Sequence, residues 1–465
     1  MSKNPGSNMK VSELWVLIRY KLGWAAIIVL TLIPSLRALA LNLQNGGIAN
    51  TFALFSLLGQ VTGIAGMLLY SLNLILAVRL RFMEDYFGGL NRMYIAHHLT
   101  GGIALILLSF HPVLLSLRYF EKITLEAFHL AAKFLWVHPI SIKTPITNDM
   151  AINFGIIGLL GMVVLLILTF FVHLPYRIWL FTHKFLGAAF FFASLHILFV
   201  KGTVADDGFL RWYLLGFAVV GLVSAAYRTL GGRILIRRYN YHVKTVRTVG
   251  KDIVELNLEP VDKVLNFEPG QFVFIRFFFS GVPGITSEAH PFSIASAPSN
   301  NNLVLCVKAL GDYTSSLLQL KPGAIAEIEG AYGKFSYRNY NNPNQIWIAG
   351  GIGITPFISM AKSLPENKEL TVDLYYSVKN EIEMVDYPAL LKLTQNPNIH
   401  FRLIPHIADV QGFLTADIVE EKSNGLTGKD FYVCGPPVMM KSMRKQLVTK
   451  GVANWQIHSE EFSMS

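Results

Sequence analysis

Charge is scarce in this sequence: Asp, Glu, Lys and Arg make up 15% of its 465 residues, against 52% hydrophobic ones. That balance excludes an ordinary soluble protein. Acidic charge is scarcest where the chain is most apolar. Residues 1–230 hold 17 Lys and Arg against 8 Asp and Glu, a balance of +9, whereas the remainder holds 23 against 22. The basic excess thus belongs to the apolar half, where it orients helices toward the cytoplasmic face. No basic motif with interleaved aromatics is present, which argues against a nucleic-acid partner. Cysteine is scarcer still. Cys306 and Cys434 cannot build a disulfide framework or an iron–sulfur cluster, and Cys306, in the strand-like "NLVLCVKAL", reads as a small buried hydrophobe. No small-residue cleavage pattern follows "MSKNPGSNMKVSELWVLIRYKLG", so the first apolar run is expected to stay as a membrane anchor.

Long apolar runs are what the first half has instead. Six of them, at 22–42, 52–77, 94–117, 151–172, 178–200 and 208–227, are long enough or nearly so to span hydrocarbon as helices. Basic residues cluster at alternate span ends: Lys10, Arg19 and Lys21; Arg79, Arg81 and Arg92; Arg177 and Lys184; Arg228, Arg233, Arg237 and Arg238. The positive-inside rule puts all four clusters, and the C-terminal half with them, in the cytoplasm. The stretch 119–149 becomes an external loop whose "ITLEAFHLAAKFLWV" has the apolar spacing of a helix lying on the membrane surface. That loop could dock a partner protein or cap the bundle.

Two of the runs carry paired histidines. His97 and His111 are 14 residues apart, and His183 and His196 are 13 apart. At 1.5 Å per residue each pair spans roughly 20 Å, two-thirds of the hydrocarbon thickness. Two such helices side by side could clamp two haems, one above the other, because neutral imidazole is a good axial ligand. The azimuths are less regular. At about 100° per residue, fourteen residues leave the two rings about 40° apart around the helix, but thirteen leave roughly 140°. Helix tilt, a local distortion in the fifth span, or haems at different azimuths is then required. On spacing alone, interhelical hydrogen bonding remains the alternative. His98, next to His97, points about 100° away and reads as a packing residue.

After Arg238 the texture changes. Short alternating segments such as "QFVFIRFFF", broken by Pro, Gly and Asn, predict an antiparallel β region over about 240–340. From about 344, "QIWIAGG", "TVDLYYSV", "IHFRLIP" and "KDFYVCG" alternate with helix-like stretches, the order of βαβ units around a parallel sheet. In "AGGIGITPFISM" (349–360) a strand runs through glycines into a helix, a turn that lets backbone approach a pyrophosphate.

Read with "EAHPFSIASAP" (288–298), "GAYGKFSY" (330–337) and "YVCGPPVMM" (432–440), that turn makes the C-terminal half resemble the ferredoxin–NADP reductase superfamily. The resemblance implies a β-barrel that holds FAD along His290, Pro291, Phe292 and Ser293, with Ser293 near the reactive flavin nitrogen. It implies that Gly311 and Thr314 of "GDYT" serve the pyrophosphate. Gly350, Gly351, Gly353, Thr355 and Pro356 match the nicotinamide-nucleotide loop, and Cys434, Gly435 and Pro436 match the segment beside the nicotinamide. Ser377 and Lys379 match the positions that take the 2′-phosphate of NADPH; a lysine there leaves NADH as the alternative. Glu461 and Phe462 fall where the family keeps an acid and an aromatic ring close to the flavin. Ser293, Cys434 and Phe462 are the candidate catalytic residues.

Six spans, histidine pairs at 14 and 13, "YRIWLFTHKF" (176–185) and Gly101 four residues after His97 extend the resemblance over nearly the whole chain, to the ferric reductase/NADPH oxidase superfamily. It implies His97 and His183 around an inner b-type haem and His111 and His196 around an outer one, with electrons passing from NADPH through FAD to an external acceptor. The organisation expected is a six-span di-haem domain over 1–232, an FAD-binding barrel over 233–341 and an α/β nucleotide-binding domain over 342–465. The acceptor is a small molecule, oxygen or chelated ferric iron. Gln60 and Leu115 stand where animal oxidases of the family carry an arginine and an extra histidine, which weighs against a dedicated oxygen site. An electron-donating subunit that reduces a partner protein, or a flavin reductase anchored by a haem-free bundle, would share much of this sequence.

Overall fold

A computed structural model describes residues 11–119, 125–135, 147–231, 236–278, 280–366 and 369–460. The chain forms two compact units, the first of Lys21–Phe87 and Arg92–Ile236 and the second holding most of the rest, chiefly the residues from Arg237 onward.

In the first unit six helices are long and apolar enough to cross a membrane: Ile18–Gln44, Thr51–Leu76, Leu90–Leu117, Asn148–Phe170, Tyr176–Phe199 and Gly208–Thr229, here the first to sixth spans. Their starts are set by local hydrogen bonds. Asn50 Oδ1 accepts from Ala53 N at 2.9 Å, Thr147 Oγ1 from Met150 N at 3.3 Å and Asp207 Oδ1 from Leu210 N at 2.9 Å, each satisfying a helical N–H that has no intrahelical partner. Asp207 also receives the fork of Arg37, at 3.2 and 2.7 Å, tying the sixth span to the first. The spans bury small and polar side chains such as Ser71, Ala96, Thr100, Ala104 and Asn153, while large apolar ones such as Ile106, Val164 and Val223 face out. Large side chains such as Leu68, Met162 and Phe190 are buried as well; the outward apolar ones suit a lipid surround, and the small buried ones allow the close helix approach that supports association there.

The fifth span is not one helix. It breaks at Phe185 into Tyr176–Lys184 and Leu186–Phe199. Phe185 N donates to Thr182 O, three residues back, at 3.0 Å, so the turn tightens locally. The Leu186 carbonyl at the break accepts from Tyr70 Oη of the second span at 2.7 Å, and the Tyr70 ring meets Phe190 edge-on at 4.9 Å.

The second unit holds two sheets. Strands β1 (Arg238–Val249), β2 (Ile253–Pro260), β3 (Phe272–Phe278), β4 (His290–Ser293), β5 (Leu303–Lys308) and β6 (Ile325–Tyr332) form an antiparallel sheet in the order β4-β3-β6-β1-β2-β5. A bridge between Ile294 and Leu305 joins the two edges and closes the sheet into a barrel. Alternate residues, Val254, Leu256 and Leu258 on β2 and Val273, Ile275 and Phe277 on β3, fill its interior, the period-2 pattern that the sequence carries.

Strands β7 (Asn344–Gly350), β8 (Thr371–Val378), β9 (His400–Ile407), β10 (Asp430–Cys434) and β11 (Ile457–Ser459) form a parallel sheet in the order β11-β10-β7-β8-β9. It is covered on both faces, so "IWIA" and "FYVC" are continuous apolar runs. The chain proceeds outward from β7 to β9 and then crosses back to β10 on the other side of β7. The switch point between β7 and β10 is where open α/β sheets bind ligands, outside the carboxyl ends of the strands.

Candidate functional site: facing histidines and a nucleotide crevice

The four histidines come together in two pairs. The rings of His97 and His183 lie 6.3 Å apart, centre to centre, and those of His111 and His196 also 6.3 Å. With metal–nitrogen bonds of about 2.1 Å, rings so spaced leave room for a single metal ion between them. Among the described residues no group of three or more His, Cys, Asp or Glu side chains converges on a metal-sized site. Each pair therefore offers two imidazole nitrogens and, among the described residues, no further ligand of these types.

The ring orientation is held from behind. His111 Nδ1 lies 2.6 Å from Gly59 O, His196 Nδ1 2.8 Å from Ala151 O and His97 Nδ1 3.2 Å from Asn73 O. Carbonyl oxygens only accept, so these three Nδ1 atoms carry the proton and each Nε2 is left with a free lone pair. His183 Nδ1 lies 3.4 Å from Thr169 Oγ1, whose own proton is given to Leu165 O at 2.8 Å. Trp179, one turn earlier, stacks on His183 at 5.2 Å and 19°.

Room for these contacts comes from glycine. A Cβ at Gly63 would fall 2.6 Å from His111 Nδ1, and one at Gly155 2.9 Å from His196 Nδ1. Each glycine lies four residues after the accepting carbonyl, one turn up the same face, so its missing side chain is what lets the imidazole reach the helix backbone. Gly59 and Gly66 receive Leu115 and Leu108 of the third span in the same way. Asn73 is the equivalent device at the other pair. Its carbonyl accepts from His97, and its side-chain amide donates back to His97 O and to Thr100 Oγ1, the latter at 3.2 Å. Sequence reasoning found the four histidines but missed Asn73, Gly63, Gly155 and Trp179; the glycines at 59, 63 and 66, on one helical face of an apolar run, were the available signal. His98 is exposed, its ring 5.7 Å from that of His97.

In the second unit the glycine-rich turn and "CGPP" interlock at the switch point. A Cβ at Gly353 would meet Cys434 O at 2.5 Å and Gly435 Cα at 2.6 Å, and one at Gly435 would meet Gly350 Cα at 3.0 Å. Backbone therefore packs on backbone, and only glycine fits. Gly351 adopts φ +53°, a left-handed conformation cheap for glycine alone. Thr355 and Pro356 open the helix Thr355–Ala361 behind this turn. Ser377 pairs in register with Gly350 across β7 and β8 and is half-buried, whereas Lys379 is exposed beyond the strand end. Cys434 is fully buried. Burial, with the nearby Glu460 carboxylate, pushes its thiol well above the usual range, so it is a neutral donor rather than a thiolate.

The barrel presents β4 beside β3, with Ser293 opposite Phe272 and His290 opposite Ile275. His290 stacks on Tyr313 at 3.6 Å and 21°. Ser293 Oγ, His290 Nε2 and Tyr313 Oη are all buried without a hydrogen-bond partner. Orphaned polar atoms are costly, and three of them along "HPFS" and "GDYT" mark where a polar ring system such as FAD fits. Burial lowers the His290 pKa, partly offset by Glu288. Thr314 Oγ1 accepts from Leu310 N and Gly311 N, at 2.9 and 3.0 Å, and donates to Gly311 O. Its hydroxyl is committed to shaping its own turn, so any direct contact to a pyrophosphate falls to the turn's amides. Glu461 and Phe462 lie outside the described residues. Their neighbour Glu460 is buried, and a Cβ at Gly333 would fall 2.9 Å from its Oε1; that buried acid was missed in the sequence.

Family models match three consecutive regions: a ferric reductase like transmembrane component over 62–194, an FAD-binding domain over 238–332 and an oxidoreductase NAD-binding domain over 347–445. The first match ends two residues before His196. The chain is 28% identical over 243 residues to the phenol hydroxylase P5 protein of Acinetobacter pittii, 49% of this chain and 66% of that one. It is 29% identical over 220 residues to the 2-halobenzoate 1,2-dioxygenase electron transfer component of Burkholderia cepacia, 45% and 62%. With the Arabidopsis thaliana protein named ferric reduction oxidase 8, mitochondrial, it shares 28% identity over 252 residues, 50% and 32%. The chain thus spans less than two-thirds of each of these relatives.

Proposed function

We propose that this chain, which joins regions matching a ferric reductase like transmembrane component, an FAD-binding domain and an NAD-binding domain, is an NAD(P)H-dependent membrane oxidoreductase that passes electrons from cytosolic NADPH across the cell membrane to a small external acceptor. The observation that carries this reading is the pair of facing imidazoles at 6.3 Å, found twice. His97 with His183 and His111 with His196 would each hold one b-type haem. When bound, FAD supplies the exchange between a hydride and single electrons, and haem iron supplies one-electron relay.

The chain's own residues do the rest. The carbonyls of Asn73, Gly59 and Ala151 hold the Nδ1 protons and aim Nε2, which fixes the tautomer and raises ligand basicity. Gly350, Gly351 and Gly353 let a pyrophosphate approach the backbone, and Ser377 with Lys379 would receive a 2′-phosphate, with NADH the weaker substrate. His290 and Ser293 offer the polar atoms that a flavin ring needs. Cys434, neutral beside the switch point, excludes water and can donate without acting as a nucleophile.

Chelated ferric iron is the acceptor supported best. Leu115, one turn beyond His111, packs on Gly59 and offers oxygen no donor, and one relative carries ferric reduction in its name. Two other relatives are named as a hydroxylase protein and a dioxygenase electron transfer component, which supports delivery to a partner protein as the second reading. Purified protein should show a reduced-minus-oxidised b-type spectrum with two haems, and His97→Leu or His183→Leu should lose one of them. Unchanged haem content in both variants overturns the ligand assignment. For the acceptor, rapid anaerobic reduction of ferric chelate, with cytochrome c reduction insensitive to superoxide dismutase, separates iron from oxygen. Failure of both with an active NADPH–FAD couple would favour the protein partner.

A further inference from the structure

At the far end of the third span stands a cation that has no counter-charge among the described residues. Arg118 follows that helix directly, seven residues after His111. Seven residues are two turns, which brings Arg118 to nearly the same azimuth as His111 and about 10 Å further along. The second span repeats the step in reverse: the carbonyl that holds His111 is Gly59, and the side chain that supports Arg118 is Phe52, seven residues earlier. Histidine and arginine thus occupy successive places in one interhelical seam.

Three aromatic rings enclose the guanidinium. Its carbon lies 5.4 Å from the Phe52 ring centre, 4.7 Å from Tyr119 and 5.0 Å from Phe134. The cage is braced: Tyr119 stacks on Phe134 at 6.1 Å and meets Phe52 edge-on at 5.9 Å, and Ser116 Oγ donates to Ala131 O at 3.0 Å, pinning the segment that carries Phe134. Arg118 Nη2 donates to Tyr119 Oη at 2.8 Å, but Nε is buried with no partner. Among the described residues no carboxylate pairs with it. A guanidinium has five N–H donors and never loses its proton. Ring faces offset part of the charge, but a half-buried cation at a low-dielectric boundary normally sits opposite an anion with planar, fork-matching oxygens.

We infer that Arg118 receives a carboxylate at the His111–His196 end of the bundle. This rests on the electron-transfer reading above and assigns a residue that the reading does not use. Two sources share the chemistry: a carboxylate carried by the group that the two histidines hold, or a carboxylate of an incoming anionic ferric chelate. Lysine would keep the charge and lose the fork; glutamine would lose both.

The test uses the full-length holoprotein, as wild type, Arg118→Gln and Arg118→Lys. Two haems per flavin in the wild type come first; their absence would sink the electron-transfer reading itself, separately from this inference. Potentiometric titration of the b-type absorbance, with no acceptor present, then reads the first source: Arg118→Gln should lower one of the two midpoint potentials, because a nearby positive charge favours the reduced form, and Arg118→Lys should restore most of it. Steady-state kinetics read the second: KM for ferric citrate should rise about tenfold in Arg118→Gln, the loss of one charge-assisted hydrogen bond, while KM for a cationic acceptor such as ferricenium does not. Unchanged potentials together with unchanged KM for citrate overturn the inference.

Discussion

Adding one methyl group at Gly63 should empty one histidine pair and leave the other filled. The built Cβ falls 2.6 Å from His111 Nδ1 and 2.7 Å from Cε1, whereas unstrained contacts lie near 3.5 Å or beyond. The helix backbone of the second span cannot yield, so the imidazole must withdraw by about 1 Å. That breaks the 2.6 Å bond to Gly59 O, worth about 1 kcal/mol, and adds overpacking of about 1–3 kcal/mol. Together these weaken the site by about 2–4 kcal/mol, roughly two orders of magnitude in affinity. Gly155→Ala, with its Cβ 2.9 Å from His196 Nδ1, should act on the same pair from the opposite helix. Adjacent glycines on the third span supply the controls. A Cβ at Gly101 would fall 2.9 Å from Asn73 Nδ2, disturbing the clamp on His97, whereas one at Gly102 meets nothing within 4 Å. The assay is the haem-to-flavin ratio after gel filtration, with the low-temperature b-type spectrum to distinguish the two sites. Gly63→Ala and Gly155→Ala should fall from two haems toward one and lose the same spectral component; Gly101→Ala should lose the other; Gly102→Ala should keep both. Full haem content in Gly63→Ala, or an equal loss in Gly102→Ala, would refute the claim that glycine makes room for the ligands.

The histidine doublet separates in the same assay: His97→Leu loses a haem, and His98→Leu, at an exposed position, keeps both. Gly353→Ala would drive a methyl to 2.5 Å from Cys434 O and 2.6 Å from Gly435 Cα. With backbone on both sides, a lower Tm and a KM for NADPH raised at least tenfold are expected, with haem content unchanged. Cys434 gives a pH prediction. Its thiol is held well above the usual range by burial and Glu460, so it stays protonated from pH 6 to 9, and NADPH oxidation should show no limb near the free-thiol value of about 8.5. Iodoacetamide at pH 8 should leave it unmodified in the native protein and label it after denaturation; labelling of the native protein would contradict the assignment.

Much of this architecture is legible in the sequence because two periods are written plainly. Long apolar runs with few charges satisfy their backbone as helices in hydrocarbon, so the six spans follow. The switch from alternating segments to continuous apolar ones separates the antiparallel barrel from the parallel sheet. What the sequence conceals is departure from the ideal period. Thirteen residues between His183 and His196 place the two rings on different faces of a uniform helix, and on that premise the fifth span looks ill-suited to hold both. The structure removes the premise: the helix stops and restarts at Phe185, so no single angular step connects the two histidines. Nothing in "HKFLGAAF" announces that break, and one contact beside it comes from another helix, where the Tyr70 hydroxyl donates to Leu186 O. The supporting groups are hidden for the same reason. Asn73, Gly63 and Gly155 mean little along their own helices; each acquires its role only when a histidine from a neighbouring span is laid against it. A ligand type is a property of one residue and can be read in one dimension. Ligand orientation is a property of a helix pair: three Nδ1 atoms are tied to carbonyls of neighbouring spans and the fourth lies beside Thr169 Oγ1, and packing of that kind is what brings four scattered imidazoles into two facing pairs.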